Sequence, residues 1–194
     1  HPRHEDVAES ESALVLGGAA DLEAAAAWAD RRLLLGDYAE VVARADEIRR
    51  ARDPGVALAS CAAEACVELG LYPQALAWIE PVRAEVEPRA RTVRQELVWA
   101  AAVLARLRDA LAAPAEPGAP WSALARLRGD VVHDLIGALT TLARVSARLE
   151  VEPSPLVVAR AALLLGRIYA GTPRFLGLGG AAEQALARAY DALS

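Results

Sequence analysis

Apolar residues in this chain recur every three or four positions over most of its length, the spacing that places them on one side of an α-helix. Val93, Leu97, Ala100, Ala101, Leu104 and Leu107 share one such face within a helix predicted over about 89–112. Glycine and proline divide the pattern into pieces. A helix over about 22–35 stops at Gly36, and Asp37 is placed to cap a second that runs to about 51, ahead of Asp53-Pro54. The plan recurs over about 56–69 and 73–86, with Gly70 between the two helices and Pro88 beyond them. Pro81 falls inside the last of these and is expected to kink it. Residues 113–120, with three prolines and a glycine, predict a loop, and helices follow over about 121–150 and 156–170, separated by Val151-Glu152-Pro153-Ser154-Pro155. Residues 1–12 have no apolar period and predict a mobile arm; Gly17-Gly18 then breaks the chain, and Asp21 is placed to cap the first helix.

The tetrapeptides Leu35-Gly36-Asp37-Tyr38 and Leu69-Gly70-Leu71-Tyr72 stand 34 residues apart, and Pro54 and Pro88 share that offset. A period of this length on a helical background is the mark of stacked helical hairpins. Two helices joined by a very short loop reverse with one residue at positive φ, which glycine adopts at least cost. Tyr38 and Tyr72 are expected to pack back on the first helix of their pairs, and each pair leaves an apolar face for the next to cover. At residue 104, where a third turn glycine is due, stands Leu104, and the period fails. The reading is an all-α fold: stacked antiparallel hairpins in one compact curved domain over 13–194, with repeats at about 22–55, 56–89 and 159–194 and irregular helices over 90–158.

These residues resemble the tetratricopeptide repeat. Gly36 and Tyr38, with Trp28 as the bulky first-helix residue, match one repeat; Gly70, Tyr72 and Ala75 match the next, and Pro54 and Pro88 each fall one residue late. Leu165-Gly166, Tyr169, Gly180, Ala185, Ala189 and Ala192 match a last repeat, lengthened by seven residues within 171–179. That lengthened repeat is similar to those of some exported bacterial repeat proteins, including the accessory T-component of TRAP solute transporters. The resemblance implies a non-catalytic scaffold that binds a protein or peptide along a concave groove lined by first-helix residues. Carried over position by position, it places Glu23, Asp30, Glu64 and Glu68 on the groove, followed by Arg91 and Arg94, and then Arg160 and Arg167. Ala26, Asp30, Ser60 and Glu64 stand where the family's clamp for acidic chain ends has Lys and Asn, so that clamp is absent. The groove is expected to be acidic at one end and arginine-bearing at the other.

A rival reading is a small-ligand or transporter-accessory protein with a pocket at Arg160, Arg167, Arg174 and Phe175 beside the insertion. A third is a self-associating module, a homodimer formed through uncovered Ala/Leu helix faces. Catalysis and bound cofactors are not expected. His133-Asp134 is the only histidine motif outside the arm, which holds His1 and His4, so neither a metal centre nor a base for a Ser or Cys nucleophile can be assembled. Gly177 to Ala182 has the spacing of a dinucleotide fingerprint, but a helix and not a strand precedes it. Trp78 and Trp99 are expected in the core, and Trp121 at its edge.

Composition adds bounds. The hydrophobic fraction is 55%, much of it alanine, with one Phe and four Trp. Small side chains demand close helix approach, toward ~8 Å between axes. A net charge of −5 without a basic patch argues against nucleic acid. Every basic residue is arginine, and lysine, asparagine and methionine are absent, a bias expected of a GC-rich bacterial genome. A chain that starts at His1 is read as an exported, periplasmic mature protein in preference to a cytoplasmic one. No apolar run approaches the ~20 residues of a membrane span. Cys61 and Cys66, five apart on one helix, cannot join in a disulfide and are expected to be small buried hydrophobes.

Overall fold

The computed structural model describes residues 19–112, 129–171 and 179–193. The expected arm at 1–12, Gly17-Gly18, the proline loop and Trp121 lie outside them. Eight helices and no strand are present among the described residues: α1 Ala19–Leu35, α2 Tyr38–Ala51, α3 Gly55–Glu68, α4 Tyr72–Glu85, α5 Val93–Ala112, α6 Gly129–Leu149, α7 Pro155–Gly171 and α8 Gly179–Leu193. The protein is all-α, a bundle of helices stacked on their neighbours in a manner consistent with helical repeats.

The packing follows one rule. Each odd helix packs on the even helix after it and on the next odd helix, giving the row α1–α3–α5–α7; α2, α4 and α6 each also pack on the odd helix that follows. The helices of 90–158 take part in this succession, since α5 packs on α6 and α6 on α7, as a third pair between α3–α4 and α7–α8. Their lengths explain why the 34-residue period breaks. With the buried Leu104 in place of glycine, α5 continues to Ala112, 20 residues against the 14 of α3.

The two chain reversals are built alike. Gly36 has φ +83° and Gly70 φ +73°. The Gly36 N–H donates to the Leu33 carbonyl (3.2 Å) and the Asp37 N–H to the Arg32 carbonyl (3.0 Å). The Gly70 N–H donates to Val67 (3.0 Å) and that of Leu71 to Cys66 (2.8 Å), so both ends form the paired Schellman closure of a helix. Tyr38 and Tyr72 are partly buried against the core beside these turns.

Neither expected cap forms as placed. Asp37 precedes α2 but makes no side-chain cap; its carboxylate accepts from Arg32 Nη1 at 3.0 Å, across the turn. Helix α1 begins at Ala19, so Asp21 lies in its first turn, where its charge still opposes the positive end of the helix dipole. Helix α4 runs through Pro81 to Glu85. The start of α5 carries a reciprocal cap: Gln95 N–H donates to Thr92 Oγ1 (3.2 Å) and Thr92 N–H to Gln95 Oε1 (2.9 Å).

Helix α3 is the centre of the bundle. Every residue from Leu58 to Val67 is buried, because α1, α2, α4 and α5 surround it. Ala59, Ala62, Ala63 and Ala65 let these neighbours close in, and Trp78 and Ile79 of α4 fill the core on one side. Helix α6 is one-sided by contrast, with Leu135, Ala138, Leu142, Val145 and Leu149 buried in one stripe. Trp99 of α5 is only half-buried: its ring lies against Gly137 of α6, and the Arg83 guanidinium stacks on it at 4.0 Å.

Gly36→Ala and Gly70→Ala are each expected to lower stability by about 1–2 kcal/mol through positive-φ strain alone, since a Cβ at either position meets no neighbour within 4 Å. Gly180→Ala, inside α8, serves as the helical comparison and is expected to be neutral or stabilising. Urea unfolding of the three variants checks this; a Gly36→Ala protein as stable as the parent would contradict the assigned turn.

Candidate functional site

One side chain from each odd helix meets in a single cluster. Asp30 comes from α1, Glu64 from α3, Arg94 from α5 and Arg160 from α7. Asp30 and Glu64 are themselves 34 residues apart, equivalent positions of the first two pairs, which is why both face the same way. Glu64 is 6% exposed. Arg160 holds its Oε1 from Nη2 (2.7 Å) and Nε (3.0 Å), while Arg94 Nε lies 2.8 Å from Oε2, an ion pair whose N–H is not aligned for a hydrogen bond. Arg94 also donates through Nη2 to Asp30 Oδ1 and through Nη1 to Cys61 Sγ at 3.4 Å. Arg160 Nη1 reaches toward the same Asp30 oxygen but stops at 3.8 Å.

Burial works against charge on Arg94, but Glu64, Cys61 and Asp30 outweigh it and hold the guanidinium above its ordinary range. Burial pushes the Cys61 thiol up to about 12, with Arg94 opposing and Asp30 and Glu64 adding to the effect. Cys66 is raised to about 11, again chiefly by burial. Both cysteines are buried and free, and both are protonated at neutral pH, so neither offers a thiolate nucleophile.

This quartet forms a wall of a cavity of about 700 Å³. Val56, Leu97, Leu156, Val157, Ala161 and Leu164 supply apolar lining, and Ser60, whose Oγ accepts from Gln95 Nε2 at 3.2 Å, supplies a polar patch. A smaller groove of about 240 Å³ shares Glu64, Leu156, Arg160 and Leu164 with it and is lined further by Leu34, Tyr38, Leu163 and Glu68. There Arg167 pairs with Glu68, a second bridge between α7 and α3.

The expected groove residues are thus partly brought together and partly rearranged. Asp30, Glu64, Glu68 and Arg94 line the shared face, and Arg160 and Arg167, expected at the far end of the groove and also in the rival pocket beside the insertion, join them there. The acidic and arginine-bearing stretches are not opposite ends of a groove: they face each other across it and pair. Glu23 is exposed on α1 and touches neither the cavity nor the groove. Arg91 lies in the connection before α5 and lines the cavity, with Nη2 and Nε donating to the carbonyls of Arg83 (2.6 Å) and Val86 (3.2 Å). Arg174 and Phe175 lie outside the described residues.

A second buried carboxylate went unforeseen. Glu96 of α5, 0% exposed, accepts from Arg144 and, at 3.3 Å, from Arg148 of α6, and Arg148 also donates to the Arg91 carbonyl at the cavity edge. Its signal was a glutamate directly ahead of the chain's long apolar run, Leu97 to Ala105. His133 is exposed, its neighbour Asp134 pairs with Arg106, and no cluster of metal-ligating side chains occurs among the described residues. No helix among those residues is long and apolar enough to cross a membrane. No protein-family model, curated protein or solved structure matches this chain.

Glu64→Ala leaves two arginines without their buried counter-charge and is expected to cost about 3 kcal/mol, whereas Glu68→Gln, whose partner Arg167 is largely exposed, is expected to cost less than about 1 kcal/mol. Urea midpoints compare the two directly, and equal losses would refute the central place given to Glu64. The thiols provide a pH test. Their pKa values rise on folding from an ordinary 9.0, so between about 9 and 11–12 the unfolded chain sheds protons that the native one keeps. Their contribution to stability is therefore intact below pH 9 and declines above it. A Cys61→Ala/Cys66→Ala variant is expected to show a shallower alkaline decline, and the native thiols to resist iodoacetamide at pH 8 while urea-unfolded protein reacts.

Proposed function

We propose that this chain is a non-catalytic binding module of the tetratricopeptide-like class, a scaffold that receives a protein or peptide segment along the face lined by α1, α3, α5 and α7. The observation that carries this reading is the cavity and the adjoining smaller pocket on that face, to which all four helices or their immediate connections contribute. Apolar side chains remain uncovered there, with Leu34, Leu156 and Leu163 exposed beside the paired charges. Such a surface suits a partner segment that presents apolar side chains to the groove. The chemistry of the site agrees with a role without catalysis: Asp30 and Glu64 are paired with arginines, and burial raises the Cys61 thiol.

A small-ligand role is the second reading, favoured by the cavity itself, whose volume lies in the ~300–1,000 Å³ range of ligand pockets. In this form the pocket is centred on Asp30, Glu64, Arg94 and Arg160.

The scaffold reading makes a positional prediction. A partner captured by the parent protein from its native host is expected to be lost, by tenfold or about that in affinity, from Leu34→Glu and Leu163→Glu, which place charge in the groove at already exposed positions. Ile136→Glu, exposed on α6 away from the groove, is expected to retain it. Partner binding measured by biolayer interferometry decides: equal retention by all three variants sinks the scaffold proposal.

A further inference from the structure

The two arginines of the central quartet are served unequally, and this points to the ligand class of the cavity. On one side both Arg94 and Arg160 meet Glu64, which is buried and belongs to the core. On the other side Arg94 Nη2 and Arg160 Nη1 converge on a single oxygen, Asp30 Oδ1. Arg94 is hydrogen-bonded to that oxygen, but Arg160 at 3.8 Å is beyond hydrogen-bond reach. Asp30 is tied to α1 and its side chain is 48% exposed, so the contact it makes is partial and open to competition from solvent-borne groups.

We propose that the cavity receives a small aliphatic carboxylate and that Asp30 is the built-in placeholder for its head group. The proposal rests on the small-ligand reading above. A carboxylate that enters from the cavity brings two oxygens and can accept one charge-assisted hydrogen bond from each guanidinium. Charge agrees with an anionic head group. Arg148 is paired with Glu96 behind the lining, and Arg91, Arg94 and Arg160 stand against Asp30, Glu64 and Glu152. A carboxylate that takes over the Asp30 contacts keeps both guanidiniums partnered, whereas a cation there would face two of them. Val56, Leu97, Leu156, Val157 and Leu164 then form an apolar surface for the ligand's hydrocarbon body.

Calorimetric titration of the full chain with octanoate, octanol and octylamine tests this. Octanoate is expected to bind at least about tenfold tighter than octanol, and octylamine more weakly than either. Asp30→Asn removes the competing charge at a half-exposed position and is expected to tighten octanoate binding about tenfold while leaving octanol unchanged. Arg160→Gln is expected to weaken octanoate by a similar factor; should that variant fold poorly, Asp30→Asn alone still decides. Octanoate and octanol binding equally would overturn head-group recognition and leave an apolar pocket standing. Failure of all three to bind would overturn the small-ligand reading as well, but would not touch the groove variants of Leu34 and Leu163. A leucine-rich pentapeptide that binds tighter than octanoate, and loses that binding when its end is amidated, would assign the carboxylate to a chain end and overturn the small-molecule proposal.

Discussion

A carboxylate cannot stay ionised inside an alanine-lined core unless positive charge reaches it, and Glu64 sits on the most enclosed helix of the molecule. Arg94 of α5 and Arg160 of α7 supply that charge, so one buried group on the second hairpin draws the third and fourth toward it. The helices in the α1–α3–α5–α7 row meet their sequential neighbours by packing small side chains. Across the groove, long arginine side chains hold α7 to α3 through Glu64 and Glu68, leaving between the helices the space that forms the cavity. The same contacts thus determine both the closure of the bundle and the character of its cavity.

Glu96 repeats this solution one layer away. It too is buried, it too is flanked by two arginines, and it binds α6 to α5. Arginine suits both places, because its several N–H donors serve more than one acceptor, as Nη1 of Arg148 does with the Glu96 carboxylate and the Arg91 carbonyl. Pairs of this kind give limited net stability compared with apolar replacements, but removing one member is costly. Their effect is to specify which helices meet and in what register.

Local features were legible where the backbone itself imposes the requirement. Gly36 and Gly70 read as reversals because positive φ selects glycine, and the turns carry the hydrogen bonds that such a reversal needs. The third pair was not legible in the same way: Leu104 continues α5, and the pair is recognisable only through its contacts. Asp37 had the position of a cap but gave its carboxylate to Arg32, a competition between partners that spacing alone cannot resolve. Thr92-x-x-Gln95 was a readable cap signal, and its second use, the Gln95 bond to Ser60 at the cavity, depends on α3 lying alongside.

By itself the sequence determined an all-helical chain, the two glycine reversals and which residues of the first helices share a face, since these follow from periodicity and from the φ limits of single residues. Tertiary structure alone decided that the acidic and basic stretches face each other. The meeting of Asp30 and Glu64 with Arg94 and Arg160 depends on how far each hairpin rotates on the last, and that rotation is set by side-chain volumes summed over every helix contact.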